Sequence, residues 1–368
     1  MPDSIDREAT TAALPCPALP PSLGSPPLLA ITMGDPAGVG PEVIAAAWCD
    51  ERVHRWCRPL VIGHPHVMRR AVRLLSLPIE VSEVDSPEAA LPSPALLPCL
   101  RAVDDAAVDV PVCQVDARAG QAAYDALVAA ARLALTGRVG AITTAPLNKA
   151  ALWKAGHEYP GHTELLAELC GVRDFAMMLY LAPDEHLRSP AGLGVVHVTL
   201  HTALRRVFDE LSTDAIAAKI RLADGAMRAL RRAAPRIGVC ALNPHAGESG
   251  LFGDEEETLI APAVREAQRQ GFCVEGPCPT DTLMVRARDG EFDAVVAMYH
   301  DQGHIALKLL GFHRAVNVTL GLPIVRTSVA HGTAFDRAWR GSAESSSMIE
   351  AIRVAALLSA KSSFAPRK

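Results

Sequence analysis

Several features are missing from these 368 residues. The nine cysteines are odd in number and none pairs at CxxC spacing. A disulfide scaffold or a structural zinc knot is therefore not expected, and a reducing, cytoplasmic setting is. No uninterrupted apolar run reaches the ~18 residues that would span a bilayer, so no membrane segment is expected. Basic charge is not in excess: 36 Lys and Arg stand against 41 Asp and Glu, a formal charge of −5. A nucleic-acid binder would need a basic footprint, so no nucleic-acid partner is expected. The first residues carry Asp3, Asp6 and Glu8 without a basic segment and do not read as a signal peptide. The dinucleotide fingerprint GxGxxG is also lacking from the glycine turn GDPAGVGPEV at 34–43, whose spacing is GxxxGxG.

What is present describes a folded protein. Apolar residues make up 49% and charged residues 21%, a balance that supports a core. At about 150 residues per domain the length corresponds to roughly two domains. Residues 1–27 hold seven prolines and no helical or strand period, and are expected to form a disordered tail. Short apolar strands are then expected at 28–33, 59–63, 140–146, 192–200, 236–244 and 293–300. Helices are expected at 67–75, 121–137 and 213–232, and a proline-rich loop at 85–100. Strands alternating with helices predict an α/β protein with a mostly parallel sheet. Several strands end in polar tips: TMGD, TTAP, HVTLH, LNPHAGE and MYHDQGH. Ligands of open α/β sheets bind beyond strand ends, so these tips are expected to converge on one cleft.

His201, His245 and His300 each follow a strand-like run, far apart in sequence. Separate strands delivering one imidazole each is the pattern of a catalytic metal site with an open coordination position. Hydrogen-bonded histidines at strand ends have the same pattern. The turn at Gly34, Gly38 and Gly40 suits an anion on backbone amides, and equally a tight structural turn. His162, Thr163 and Glu164 precede a helix, where Thr163 also suits an N-cap. Lys149 ends the block TTAPLNK and also suits a solvated surface position. Lys308, Asn317 and Arg326 lie in sequence with few other charges, where a cation commonly has an anionic partner. Asp281 and Asp301 are carboxylates available for proton transfer, metal support or a salt bridge.

The blocks GDPAGVGPE, TTAPLNK, GHTELLAE, LNPHAGESGLFG, PTDTL, MYHDQGH, NVTLGLPIVRTS and HGTAFD follow one another in that order. Together they resemble the 4-hydroxythreonine-4-phosphate dehydrogenase family of vitamin B6 synthesis, over roughly residues 28–358. The first and last blocks also resemble motifs of isopropylmalate and isocitrate dehydrogenases. The resemblance implies their two-domain α/β fold with an interdomain cleft. One domain would comprise 28–145 with 309–368, on the cofactor side. The other would comprise 146–308, on the metal and dimer side. It implies a homodimer with the active site at the subunit interface.

By the same resemblance, His201, His245 and His300 would hold one divalent ion (zinc, magnesium or cobalt) with ligands shared between subunits. His162, Thr163, Lys308, Asn317 and Arg326 would contact substrate. His331, Gly332, Thr333, Ala334 and Asp336 would form the NAD or NADP loop. Lys308, Asp281 and Asp301 are the candidates for proton transfer. The implied reaction is oxidative decarboxylation of 4-phosphooxy-L-threonine. Two departures stand out. Arg337, Ala338, Trp339, Arg340 and Gly341 replace the family's IAGKG, so Trp339 is expected to bear on cofactor affinity and the NAD or NADP choice. His304 and the stretch ESGLFGDEEE resemble a side branch acting on 4-phospho-threonate and 4-phospho-erythronate. A reading from another class is a non-catalytic dimeric protein that binds small anions on the glycine turn.

Overall fold

The computed structural model describes residues 25–231 and 234–360. The expected tail lies outside the described residues up to position 24; Pro27 is anchored, its carbonyl accepting the Arg58 N–H at 2.8 Å. Twelve strands form one sheet: β1 (Leu28–Thr32), β2 (Arg58–Gly63), β3 (Glu80–Val84), β4 (Leu96–Arg101), β5 (Ala141–Thr144), β6 (Ala176–Leu181), β7 (Leu193–His197), β8 (Ile237–Cys240), β9 (Val274–Cys278), β10 (Ala294–Ala297), β11 (Val316–Leu320) and β12 (Arg326–Val329). Their spatial order is β3-β4-β2-β1-β5-β12-β11-β6-β7-β10-β8-β9. Helices such as Ala117–Leu135 and Thr213–Arg231 pack on it. Six of the twelve strands, β5, β6, β7, β8, β10 and β12, are buried at every position, as strands covered on both faces require.

The sheet is parallel except in its middle, where β12–β11, β11–β6 and β6–β7 are antiparallel. Three reversals in succession turn the second half of the sheet against the first. Strands of the two halves therefore point in opposite directions, yet the TTAP tip of the first half and the HVTLH and MYHDQGH tips of the second border one cavity, which the TMGD and LNPHAGE tips do not line. The stretch 85–100 also differs from the expected loop. Leu97 and Cys99 are fully buried in β4 between β3 and β2, and burial of that apolar pair outweighs the proline signal.

The glycine turn follows β1. Gly34 has φ +72°, and a Cβ there would stand 2.3 Å from the Pro146 carbonyl oxygen, so only glycine lets the turns after β1 and β5 meet. Asp35 is fully buried; Oδ1 accepts the Ala37 N–H at 2.8 Å and Oδ2 has no partner. Burial, with Asp116 nearby, raises its pKa to about 6. A carboxyl whose folded pKa is raised contributes its full stability below the unfolded value and loses it as pH rises through about 6. Asp35→Asn, which keeps the acceptor without the charge, is expected to add roughly 2–3 kcal/mol at pH 8 and almost nothing at pH 3.5. Urea unfolding at the two pH values checks this, and an equal gain at both would refute it.

Candidate active site

Arg326 opens β12 and is 3% exposed. Its Nη1 donates to Thr319 Oγ1 at 3.0 Å and its Nη2 to Thr144 Oγ1 at 2.7 Å, while Nε is buried without a partner. It has no ion pair among the described residues. Burial, partly offset by Glu164, lowers its pKa to about 10, so it is a cation at neutral pH. The guanidinium borders a cavity of about 320 Å³ whose wall includes Lys149, His162, Thr163, Glu164, His201, His304, Asn317 and His331. Asn317 Oδ1 is a second buried atom there without a partner. Burial and the Arg326 charge hold His162 neutral, its pKa well below the ordinary range. A buried cation and unanswered polar atoms on an open cavity are the complement of a small anion.

The same cavity reaches a cluster of imidazoles. His304 stacks on His300 with centroids 3.8 Å apart, and its Nδ1 is 3.0 Å from His197 Nε2. His201 and His300 have centroids 5.9 Å apart and line an adjoining cavity with Asp301 and Tyr299. Burial and neighbouring imidazoles lower the pKa of His197 to about 3 and of His304 to about 4. Burial, with Lys149 nearby, lowers that of His201. His300 Nδ1–H donates to Asp301 Oδ1 at 2.6 Å, which leaves Nε2 as its free ligand atom.

His245 stands elsewhere. It lines a third cavity with Asp281, Asp301 and Gln302, on a loop where His245, Ala246, Gly247, Glu248 and Ser249 all have positive φ. Five left-handed residues in a row persist only if their surroundings over-determine them. Glu256, 3% exposed, does this: Oε1 accepts the N–H groups of Leu242 and Asn243 at 2.8 and 2.7 Å, and Oε2 accepts Asn243 Nδ2–H at 3.0 Å. Gln302 ties this loop to the His300 helix, donating to Ala241 O at 2.7 Å and accepting the Met298 N–H at 2.7 Å. Among the described residues no group of three or more His, Cys, Asp or Glu closes on one point. The three histidines thus suit a divalent ion in donor type, and His300 has the orienting carboxylate of Asp301 behind it, but one chain brings only two of them together.

The remaining candidates divide. Lys308 lies one turn beyond His304, its Nζ 5.7 Å from the Phe312 ring centroid, and does not line the Arg326 cavity. Asp281 and Asp301 border the His245 cavity. His331, Ala334 and Asp336 line a further cavity of about 250 Å³ with Val39, Val43, Ser346 and Ser347. Gly332 belongs to the Arg326 cavity instead, and Thr333 is buried against Gly38. His331 borders both cavities, so they adjoin. Helices Gly40–Trp48 and Ser346–Ser359 both begin at the smaller one, where backbone N–H groups suit a pyrophosphate. Trp339 is not on its wall. Sequence reasoning misses His197 and Glu256. His197 has the strand-end setting of the other histidines, a signal that could have found it. Glu256 is the middle one of three successive glutamates and carries no such signal.

Comparison with known proteins settles the kind of protein this is. The family model described as "Pyridoxal phosphate biosynthetic protein PdxA" matches residues 55–355. The chain belongs to the PdxA family. It is 46% identical to a D-threonate 4-phosphate dehydrogenase of Pectobacterium atrosepticum, over 89% of this chain and 98% of that one. It is also 46% identical to a 4-hydroxythreonine-4-phosphate dehydrogenase of Trichlorobacter lovleyi, over 91% and 98%. A crystal structure of the 4-hydroxythreonine-4-phosphate dehydrogenase of Klebsiella pneumoniae superposes with a TM-score of 0.80 at 45% identity, covering 90% of this chain and 99% of that one. This PdxA protein is therefore an oxidoreductase, a dehydrogenase that uses a nicotinamide cofactor, on the mixed α/β fold expected. No helix among the described residues is long and apolar enough to cross a membrane.

Proposed function

We propose that the protein oxidatively decarboxylates 4-phosphooxy-L-threonine to 3-amino-2-oxopropyl phosphate and CO2, with NAD or NADP, in pyridoxine 5′-phosphate synthesis. The observation that carries this reading is Arg326, a buried cation with no ion pair among the described residues, on a cavity adjoining the cofactor loop. Arg326, with Asn317 and neutral His162, would hold an anionic end of the acid. His201, His245 and His300 would hold a divalent ion. When bound, that ion supplies a Lewis acid for the C3 oxygen and the nicotinamide supplies the hydride acceptor. Of the proton-transfer candidates, Asp301 borders the His201–His300 pair; Asp281 and Lys308 would act from a neighbouring subunit.

A homodimer completing the site forms part of the reading. Leu204, Phe208, Ile305 and Leu309 are exposed by 64%, 53%, 58% and 83%. Leu204 borders the His201–His300 cavity, and Ile305 and Leu309 the His245 cavity. Apolar surface of this kind beside an incomplete ligand set suits a second copy. The expected two domains would wall the Arg326 cavity from both sides.

A second reading keeps the reaction and replaces the C2 ammonium with a hydroxyl, giving 4-phospho-D-threonate or 4-phospho-D-erythronate. Two observations favour it. The D-threonate 4-phosphate relatives are as similar as the others, and Glu164 is the single carboxylate among the described residues on that wall to answer an ammonium. The test measures reduced nucleotide and CO2 from the three acids, with and without a chelator. Equal amounts of both products are expected from at least one acid, with the chelator abolishing turnover. No reduction of NAD+ or NADP+ on any of them would refute both readings.

A further inference from the structure

The loop 333–341 supplies Ala334, Asp336 and Arg337 to the wall of the cofactor cavity. Its Ala334 and Trp339 have φ of 44° and 58°, a left-handed conformation that is strained for any residue with a Cβ. Such a loop keeps its shape only where contacts enforce it.

Three of those contacts meet at Trp339. Its backbone N–H donates to Glu42 Oε2, and the Gly341 N–H donates to Glu42 Oε1 at 2.7 Å. Its indole Nε1–H donates to the Pro36 carbonyl at 2.9 Å. The Arg70 guanidinium covers the ring, 3.9 Å from its centroid. Two further bonds fasten the loop: Cys113 Sγ–H donates to Ala338 O at 3.4 Å, and Val39 N–H to Thr333 O at 3.0 Å. Pro36, Val39 and Glu42 all belong to the glycine turn or the helix it opens. Glu42 is 1% exposed and has no ion pair among the described residues. Its buried carboxylate needs the loop's N–H groups, and the strained loop needs Glu42, so each holds the other.

We propose that Trp339 is a positioning residue for the nicotinamide cofactor, riveting the cofactor loop to the glycine turn so that the cavity exists before the nucleotide arrives. The ring does not line the cavity and packs instead on Pro36 and Arg70, so it acts on the nucleotide through the loop. Its effect is preorganisation: the loop is ordered on folding, so that order need not be created on binding. This rests on reading the smaller cavity as the cofactor's.

Trp339→Gly tests it without endangering the fold. Glycine adopts φ near +58° freely, so the backbone and both Glu42 bonds remain while the indole contacts are lost. Calorimetric titration with NAD+ and with NADP+ should show the dissociation constant of the preferred nucleotide raised about tenfold. Trp339→Phe, which keeps a ring under Arg70, should fall between. Arg70→Met should shift the constant in the same direction. At saturating nucleotide, kcat should stay within about twofold of wild type. An unchanged dissociation constant in Trp339→Gly would overturn the proposal, as would a collapse of kcat with binding intact. Wild-type protein that binds neither nucleotide would overturn the cofactor reading of the cavity and the proposal with it.

Discussion

Arg326→Met is expected to lower kcat/KM for the phosphorylated acid roughly a thousandfold, about 4 kcal/mol of lost binding to an anionic group. The reason is that Arg326 has no other work to do in this chain. Two of its nitrogens are satisfied by threonine hydroxyls, its Nε is orphaned, and no carboxylate pairs with it among the described residues. A buried charge kept in that state is costly to the folded protein, so methionine, of similar length and uncharged, should leave the melting temperature unchanged or raise it. Loss of activity with a gain or no change in stability separates a binding role from a structural one. Arg326→Lys keeps the charge but not the planar fork and should recover only part of the activity. Near-normal kcat/KM in the methionine variant would show that the substrate anion binds elsewhere.

Mixing two inactive variants should restore activity. His245→Ala and His300→Ala are each expected to lose the divalent ion and turnover while remaining folded, since both side chains lie at the protein surface or half-buried. In one chain His201 and His300 share a cavity and His245 opens on another. If a dimer completes the site, His245 is then the ligand that crosses. A mixed dimer has one site lacking both ligands and one with all three. Random pairing makes about half the dimers mixed, so the mixture should recover up to about a quarter of wild-type activity. Metal analysis of the separated species gives a second measure. No recovery in activity or in bound metal would mean that His245 does not serve a site with the partner's imidazoles.

The local elements were legible because their signals are local. Runs such as LLAIT and AVVA, short and bounded by turn residues, read as buried strands, and Pro41 and the glycine turn announce the helix that follows. Six strands were not expected, β3, β4, β6, β9, β11 and β12, and β6, AMMLYL, is as apolar as any that was; two of the six carry weak signals. β4 is masked by Pro98, and β9 is the mixed stretch Val274–Cys278 with a proline in it. Candidate residues were legible where a rare side chain stands in an apolar neighbourhood, as with Arg326 and Asn317. Glu256 was not, because nothing in EEETLI distinguishes the glutamate that folds inward from the two beside it.

By itself, then, the sequence determined the class of fold, the polar strand tips and the family. The first two depend on residue order within a few tens of positions, and the family on short blocks of that kind following one another along the chain. Tertiary structure alone decided which residues meet. β7, β8 and β10 run parallel to one another, so His201, His245 and His300 leave at the same end of the sheet; the course of the loops beyond the strands, with the left-handed turn at 245–249, opens His245 on a different cavity from His201 and His300. The same kind of decision kept Trp339 off the wall of the cavity lined by His331, Ala334 and Asp336 and put it on Pro36 and Arg70. Strand order, the course of a loop and the place a ring takes are set by packing between distant segments, which local pattern does not encode.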